Sequence, residues 1–153
     1  MKRIALTLLL GIALPAFADR MPIPTNTPVS YKAECASCHM AFQPALLSAN
    51  DWRKTMAGLK DHFGTDAAVD PQKQQEITNF LERNAGDASK LGSAGEPPRI
   101  SQSARFIRKH REIPPKYWKD PRVKSAANCE ACHRGAAAGN YNEHDIAIRE
   151  LRE

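Results

Sequence analysis

The sequence predicts an all-α fold of short helices joined by long loops, and three observations carry that expectation. No run of β-branched and aromatic residues alternates with polar ones for long enough to form a strand. Apolar residues instead recur at helical spacing, in short segments that open at Ser, Asp or Asn and stop at Gly or Pro. Finally, Leu, Ile, Val and Phe number only 20 among the 135 residues from Asp19 to Glu153, below the roughly 20% at which a chain begins to look unable to fold. Such a chain is largely disordered, or it builds its interior on a large apolar group or on cross-links.

The elements follow in chain order. Lys2 and Arg3 lead an apolar run from Ile4 to Leu14, and Ala16-Phe17-Ala18 has the small-x-small form cut by signal peptidase, so residues 1–18 read as a signal peptide and the mature protein as exported, to the periplasm. That run is too short to span a bilayer, and the mature chain is expected to hold no transmembrane segment. Pro22, Pro24 and Pro28 mark an extended leader. Asn50 or Asp51 is expected to cap a helix ending at Gly64, with Trp52, Met56, Leu59 and Phe63 on one face. Asp70 and Pro71 open another, which buries Ile77, Phe80 and Leu81 and runs to about Asn84. From Ala85 to Pro98 the composition turns to Gly, Ser, Ala and Pro, a connection between two halves. Ser101 or Ser103 caps a short helix with Phe106, Ile107 and His110 that stops before Pro114-Pro115, and Asp120-Pro121 opens the last helix.

The four cysteines fall in two identical frames, Cys35-Ala36-Ser37-Cys38-His39 and Cys129-Glu130-Ala131-Cys132-His133. C-x-x-C-H is the c-type haem attachment pattern. Its spacing lets two thiols add to the two vinyl groups of one porphyrin while the adjacent imidazole becomes an axial ligand of the iron. A four-thiolate zinc site or two short disulfides are the alternatives. Neither explains a histidine directly after both pairs, and neither supplies the missing apolar bulk. Two covalently bound haem c groups are therefore expected, with the helices and loops wrapped around them. The two segments are not tandem repeats, since Cys35 opens its half and Cys129 sits near the end of its own.

With His39 and His133 on one side of each iron, the sixth ligands separate a carrier from a catalyst, because an iron with six strong ligands has no place for substrate. The candidates are His62, His110, His144, Met21, Met40 and Met56. His62 lies 23 residues after His39 and His110 lies 23 before His133, each at the end of a short amphipathic helix beside its apolar stripe. A histidine so placed is equally at home as a packed side chain, but two iron positions need filling. His144 sits in a polar tail, Met40 directly follows a proximal histidine, Met56 lies within an apolar stripe and Met21 in the leader. Two low-spin bis-histidine haems follow, at lower potential than His/Met ligation would set.

Trp52 to Gly64 (WRKTMAGLKDHFG), Ile100 to Ile113 (ISQSARFIRKHREI) and Asn128 to Glu143 (NCEACHRGAAAGNYNE) together resemble the small periplasmic dihaem cytochrome c family of bacteria. The resemblance implies a bis-histidine electron carrier with distal ligands at His62 and His110, each half supplying its own. It further implies two small cytochrome c-like haem domains, here 19–90 and 91–153, and exchange of electrons with a membrane b-type cytochrome or an oxygen-binding monohaem cytochrome.

Without Lys2 and Arg3, 20 basic residues face 17 acidic ones, too small an excess to suggest nucleic acid as partner. Arg105, Arg108, Lys109, Arg111, Lys116, Lys119, Arg122 and Lys124 gather in the second half, as a solvated surface or as a docking patch for an acidic redox partner. The leading expectation is a non-catalytic electron carrier. Its rival is a haem enzyme or gas-binding protein with one open or labile sixth position, although 135 residues leave little room for a peroxidase cavity. A subunit active only on a membrane complex is a third reading.

Overall fold

The structure, a computed structural model, describes residues 20–151, so the signal-peptide expectation for residues 1–18 lies outside the described residues. Among the described residues there are helices, tight turns and loops but no strand. The α-helices are α1 (Val29–Cys35), α2 (Ala49–Ala57), α3 (Pro71–Arg83), α4 (Ala88–Leu91), α5 (Ala104–Lys109) and α6 (Pro115–Trp118), with short 3-10 turns between them.

Local signals explain most of these boundaries. At α2 the cap is Ser48 rather than Asn50 or Asp51. Its hydroxyl accepts from the Asp51 amide at 3.2 Å and donates to the Asp51 carboxylate at 2.6 Å, a reciprocal box across the first turn. Trp52 and Met56 are buried, and Trp52 Nε1 donates to the Pro44 carbonyl at 2.7 Å. The helix does not reach Gly64. Gly58 ends it, a 3-10 turn covers Leu59–Asp61, and Phe63 leaves the buried stripe for the surface. At α3 the expectation holds: Asp70 accepts from the Gln72 and Lys73 amides, Pro71 occupies the first helical position, and Ile77, Phe80 and Leu81 are buried.

The Ala85–Pro98 connection is more ordered than its composition suggests. It holds α4, capped by Asp87, with Leu91 buried; a single turn of four residues is too short to leave a periodic signal. Ser103, rather than Ser101, caps α5 by accepting from the Phe106 amide at 3.1 Å. No helix starts at Asp120-Pro121. The Val123 and Lys124 amides both fold back onto the Asp120 carbonyl, and Lys124 then turns left-handed at φ 63°, which stops propagation after one turn. The helical residues there are Pro115–Trp118, with Pro115 at the first position.

Two apolar clusters result, and they are unequal. The first unites Tyr31, Leu47, Trp52, Met56, Ile77, Phe80, Leu81 and Ala94, with Cys35 and Ile100 packed against it. Its centre is α3 lying on α2 and α1, with Tyr31 and Phe80 ring centroids 5.1 Å apart. The second contains only Val123, Ile146 and Ile148, flanked by Tyr117, Trp118, Ala131 and Cys132. The leader is tied to the second half, where the Met21 amide donates to the Gly139 carbonyl at 2.7 Å. Gly139 is required there: its φ is 75°, and a Cβ would lie 2.0 Å from the Met21 carbonyl oxygen.

Candidate functional site

The first site begins at the end of α1. Cys35 is its last residue and half-buried against the first cluster, whereas Cys38 and His39 are exposed. His39 Nδ1 lies 2.8 Å from the Met40 carbonyl. A carbonyl can only accept, so Nδ1 carries the proton and Nε2 keeps a free lone pair, the arrangement common to metal-bound histidines. Phe42 packs on the His39 ring at 4.9 Å.

His62 comes to the same place on a tight turn rather than on a helix. Its amide donates to the Thr65 carbonyl at 2.8 Å and its carbonyl accepts from the Thr65 amide at 3.3 Å, with Phe63 and Gly64 between them at φ 55° and 90°. Two consecutive left-handed residues make the two-residue reversal usually built from Asn-Gly. Phe63 meets the conformational cost under the Arg99 guanidinium, 3.7 Å above its ring. The His39 and His62 rings face each other with centroids 6.3 Å apart and planes at 34°. Burial, then electrostatic interaction with His39 and Arg99, push the His62 imidazole below its ordinary pKa, which favours the neutral form that can ligate.

The second site is assembled differently. His110 caps the C-terminal end of α5, and its Nδ1 lies 2.9 Å from the Phe106 carbonyl, which leaves Nε2 as the free nitrogen. Its ring stacks on Phe106 at 4.0 Å and meets the edge of Trp118 at 5.8 Å. Burial dominates in pushing its pKa down, against the opposing pull of the Phe106 carbonyl. Ile107, expected beside it, is 59% exposed and points away. His133 sits opposite, with ring centroids 6.2 Å apart and planes at 86°. A cavity of about 570 Å³ opens between them, walled by Phe106, Trp118, Cys129, Cys132, Tyr141 and Ile146, within the size range of sites for large flat ligands.

These residues fit haem. Two metal–imidazole bonds of about 2 Å, extended by a ring radius at each end, put the centroids about 6 Å apart, as in both pairs. Before haem attachment, burial pushes the Cys35 and Cys129 thiols up to about 11, unlike the low-pKa nucleophiles of thiol redox enzymes. Cys35 packs on the first cluster and Cys132 on the second, an arrangement that does not gather four thiolates. Among the described residues no three His, Cys, Asp or Glu side chains form a metal cluster.

Of the other ligand candidates, His144, Met56 and Met40 fall elsewhere. His144 is exposed in a 3-10 turn, its amide held by Asn142. Met56 is core, and Met40 uses its carbonyl on His39. Met21 lines the cavity between His110 and His133. Of the eight basic residues clustered from Arg105 to Lys124, seven are exposed and Arg105 is partly covered. Sequence reasoning missed Phe42, Gln43, Tyr141 and Arg99. The first two lie three and four residues after the first haem motif and Tyr141 is a lone aromatic in a run of small residues, the only signals they leave.

The family model "Dihaem cytochrome c" matches residues 31–141. A dihaem cytochrome type c from Shewanella baltica OS155, solved by X-ray diffraction, is 39% identical and superposes with a TM-score of 0.71 over 82% of this chain and 94% of its own. A dihaem cytochrome c from Rhodobacter sphaeroides is 37% identical, with a TM-score of 0.67 over 76% of this chain and 98% of its own. A second structure from that organism gives 40% identity and a TM-score of 0.65 over 75% and 97%. No curated protein matches. At this identity and coverage the chain belongs to the dihaem cytochrome c family, and its cofactors are two covalently bound haem c groups.

Proposed function

We propose that the protein is a periplasmic electron carrier with two low-spin bis-histidine haems. Cys35 and Cys38 form the thioether links of the first and Cys129 and Cys132 those of the second, with His39 and His62 as axial ligands of one iron and His110 and His133 of the other. The observation that carries the reading is the pair of histidine separations, 6.3 Å and 6.2 Å, each the span of an imidazole–iron–imidazole sandwich. When bound, each haem supplies an iron that gains and loses one electron. The chain's part is to hold two neutral imidazoles at each centre. The carbonyls of Met40 and Phe106 fix the tautomers of His39 and His110, and the Phe106 and Trp118 rings keep water from the second site. With both axial positions held, substrate has no route to the metal, which favours electron transfer over catalysis.

The division into two small haem domains, 19–90 and 91–153, agrees with the presence of two separate apolar clusters, with Ala94 and Ile100 of the second segment packing on the first cluster. Export agrees with the leading apolar segment, and no helix among the described residues is long and apolar enough to cross a membrane. The exposed cations of the second half suit an acidic redox protein as partner, a membrane b-type cytochrome or an oxygen-binding monohaem cytochrome. Ferric EPR of His62→Ala and His110→Ala variants tests the ligand set. Each substitution is expected to turn one haem, and only one, to high spin; two unchanged low-spin signals in both variants refute it.

A further inference from the structure

Gln43 is completely buried, yet nothing in haem ligation calls for a polar side chain there. Its Nε2 donates to the Ala136 carbonyl at 2.7 Å, and its Oε1 accepts from the Tyr141 hydroxyl. Both partners come from the far half of the chain, 93 and 98 residues away. The positions also matter. Gln43 lies four residues after His39, Ala136 three after His133 and Tyr141 eight after His133. The side chain therefore joins the two loops that leave the two proximal histidines.

Each end of that joint touches a proximal imidazole. On one side Phe42 packs on the His39 ring at 4.9 Å, and its carbonyl is held by the Tyr31 hydroxyl, which roots it in the first core. On the other the Tyr141 ring meets the His133 ring at 5.5 Å and 65°. From His39 to His133 the line is a ring contact, one peptide unit, a side-chain amide, a hydrogen bond and a second ring contact. The apolar clusters themselves are separate, so this buried polar joint carries the register between halves that aliphatic packing would carry in a larger protein.

We propose that Gln43, working through Tyr141, is a positioning residue for electron exchange between the two haem sites: it fixes the separation and orientation of the two proximal-ligand loops. The proposal rests on the ligand reading above. A leucine in its place keeps the volume but leaves the Tyr141 hydroxyl without its acceptor and the Ala136 carbonyl with the Gly139 amide as its remaining donor, so the tie between the two loops is cut and they are free to part and admit water. Tyr141→Phe removes one bond and keeps the ring on His133, the milder perturbation.

The test is pulsed EPR of the fully ferric holoprotein for the iron–iron distance, with NMR line broadening of half-reduced samples for interhaem exchange. In Gln43→Leu the distance distribution is expected to widen and exchange to slow, with a smaller change of the same sign in Tyr141→Phe, while both ferric low-spin spectra stay as in the unsubstituted protein. Unchanged distance and exchange in both variants overturn the proposal. So does loss of haem in Gln43→Leu combined with an unaltered Tyr141→Phe, which leaves Gln43 a residue of local folding only. A high-spin signal in the unsubstituted protein instead overturns the ligand reading, and the proposal with it.

Discussion

Replacing Cys129 and Cys132 by alanine is expected to remove the attachment of the second haem, and with it the fold of residues 104–151, while the first half keeps its own. The first cluster contains seven large buried residues besides Ala94, the second only Val123, Ile146 and Ile148. At about 1.5–3 kcal/mol for each large apolar side chain withdrawn from water, the first gains about 10–20 kcal/mol and the second about 5–9. Native domains hold net stabilities of only about 5–15 kcal/mol after chain entropy is offset. The second half therefore cannot spare the face that a porphyrin covers in the cavity between His110 and His133. The converse variant, Cys35→Ala with Cys38→Ala, leaves α3 packed on α2. Hydrogen–deuterium exchange read by mass spectrometry, on samples whose mass shows a single haem, follows both halves at once. Protection of α2 and α3 is expected to survive in both variants, and protection of residues 104–151 only where the second haem remains. Equal protection of 104–151 with and without that haem refutes the reasoning.

Further predictions concern the axial ligands and the buried phenols. The imidazole planes differ, 34° at one centre and 86° at the other. Crossed planes leave two iron d-orbitals nearly degenerate, so two distinct ferric EPR signals are expected, the more anisotropic one disappearing in His110→Ala. A single superimposed signal contradicts this. Gly64→Ala meets no atom within 4 Å, so its cost is that of the left-handed backbone alone, about 1–2 kcal/mol. It should weaken the hold on His62 and raise the acid midpoint for loss of the first low-spin signal, leaving the second untouched. Burial holds the Tyr31 and Tyr141 phenols above their ordinary 10.0, and the unfolded chain releases those protons first. Their contribution to stability is thus complete below pH 10.0 and falls as pH rises beyond it. Thermal unfolding at about pH 9 and about pH 11 should show the loss, smaller in Tyr141→Phe; a flat midpoint argues against it.

What the sequence determined by itself was whatever depends on near neighbours. The two C-x-x-C-H frames specify the cofactor because thiol, thiol and imidazole must lie within one turn of chain. Asp70-Pro71 set the start of α3, because a cap needs only the next three amides. His62 and His110 were legible as candidates from their spacing, although His62 arrives on a left-handed turn and not on the helix its stripe suggested. The tertiary structure alone decided what joins the halves. Gln43, Tyr141 and Arg99 carry no local pattern, and their partners stand tens of residues away. It also decided the unequal cores, since burial is a property of what packs above a side chain and not of the side chain. Where Asp120-Pro121 promised a helix, the chain instead turns left-handed at Lys124 and the Asn128 side chain donates to the Val123 carbonyl, a competing local turn that outweighs a capping signal worth about 1 kcal/mol.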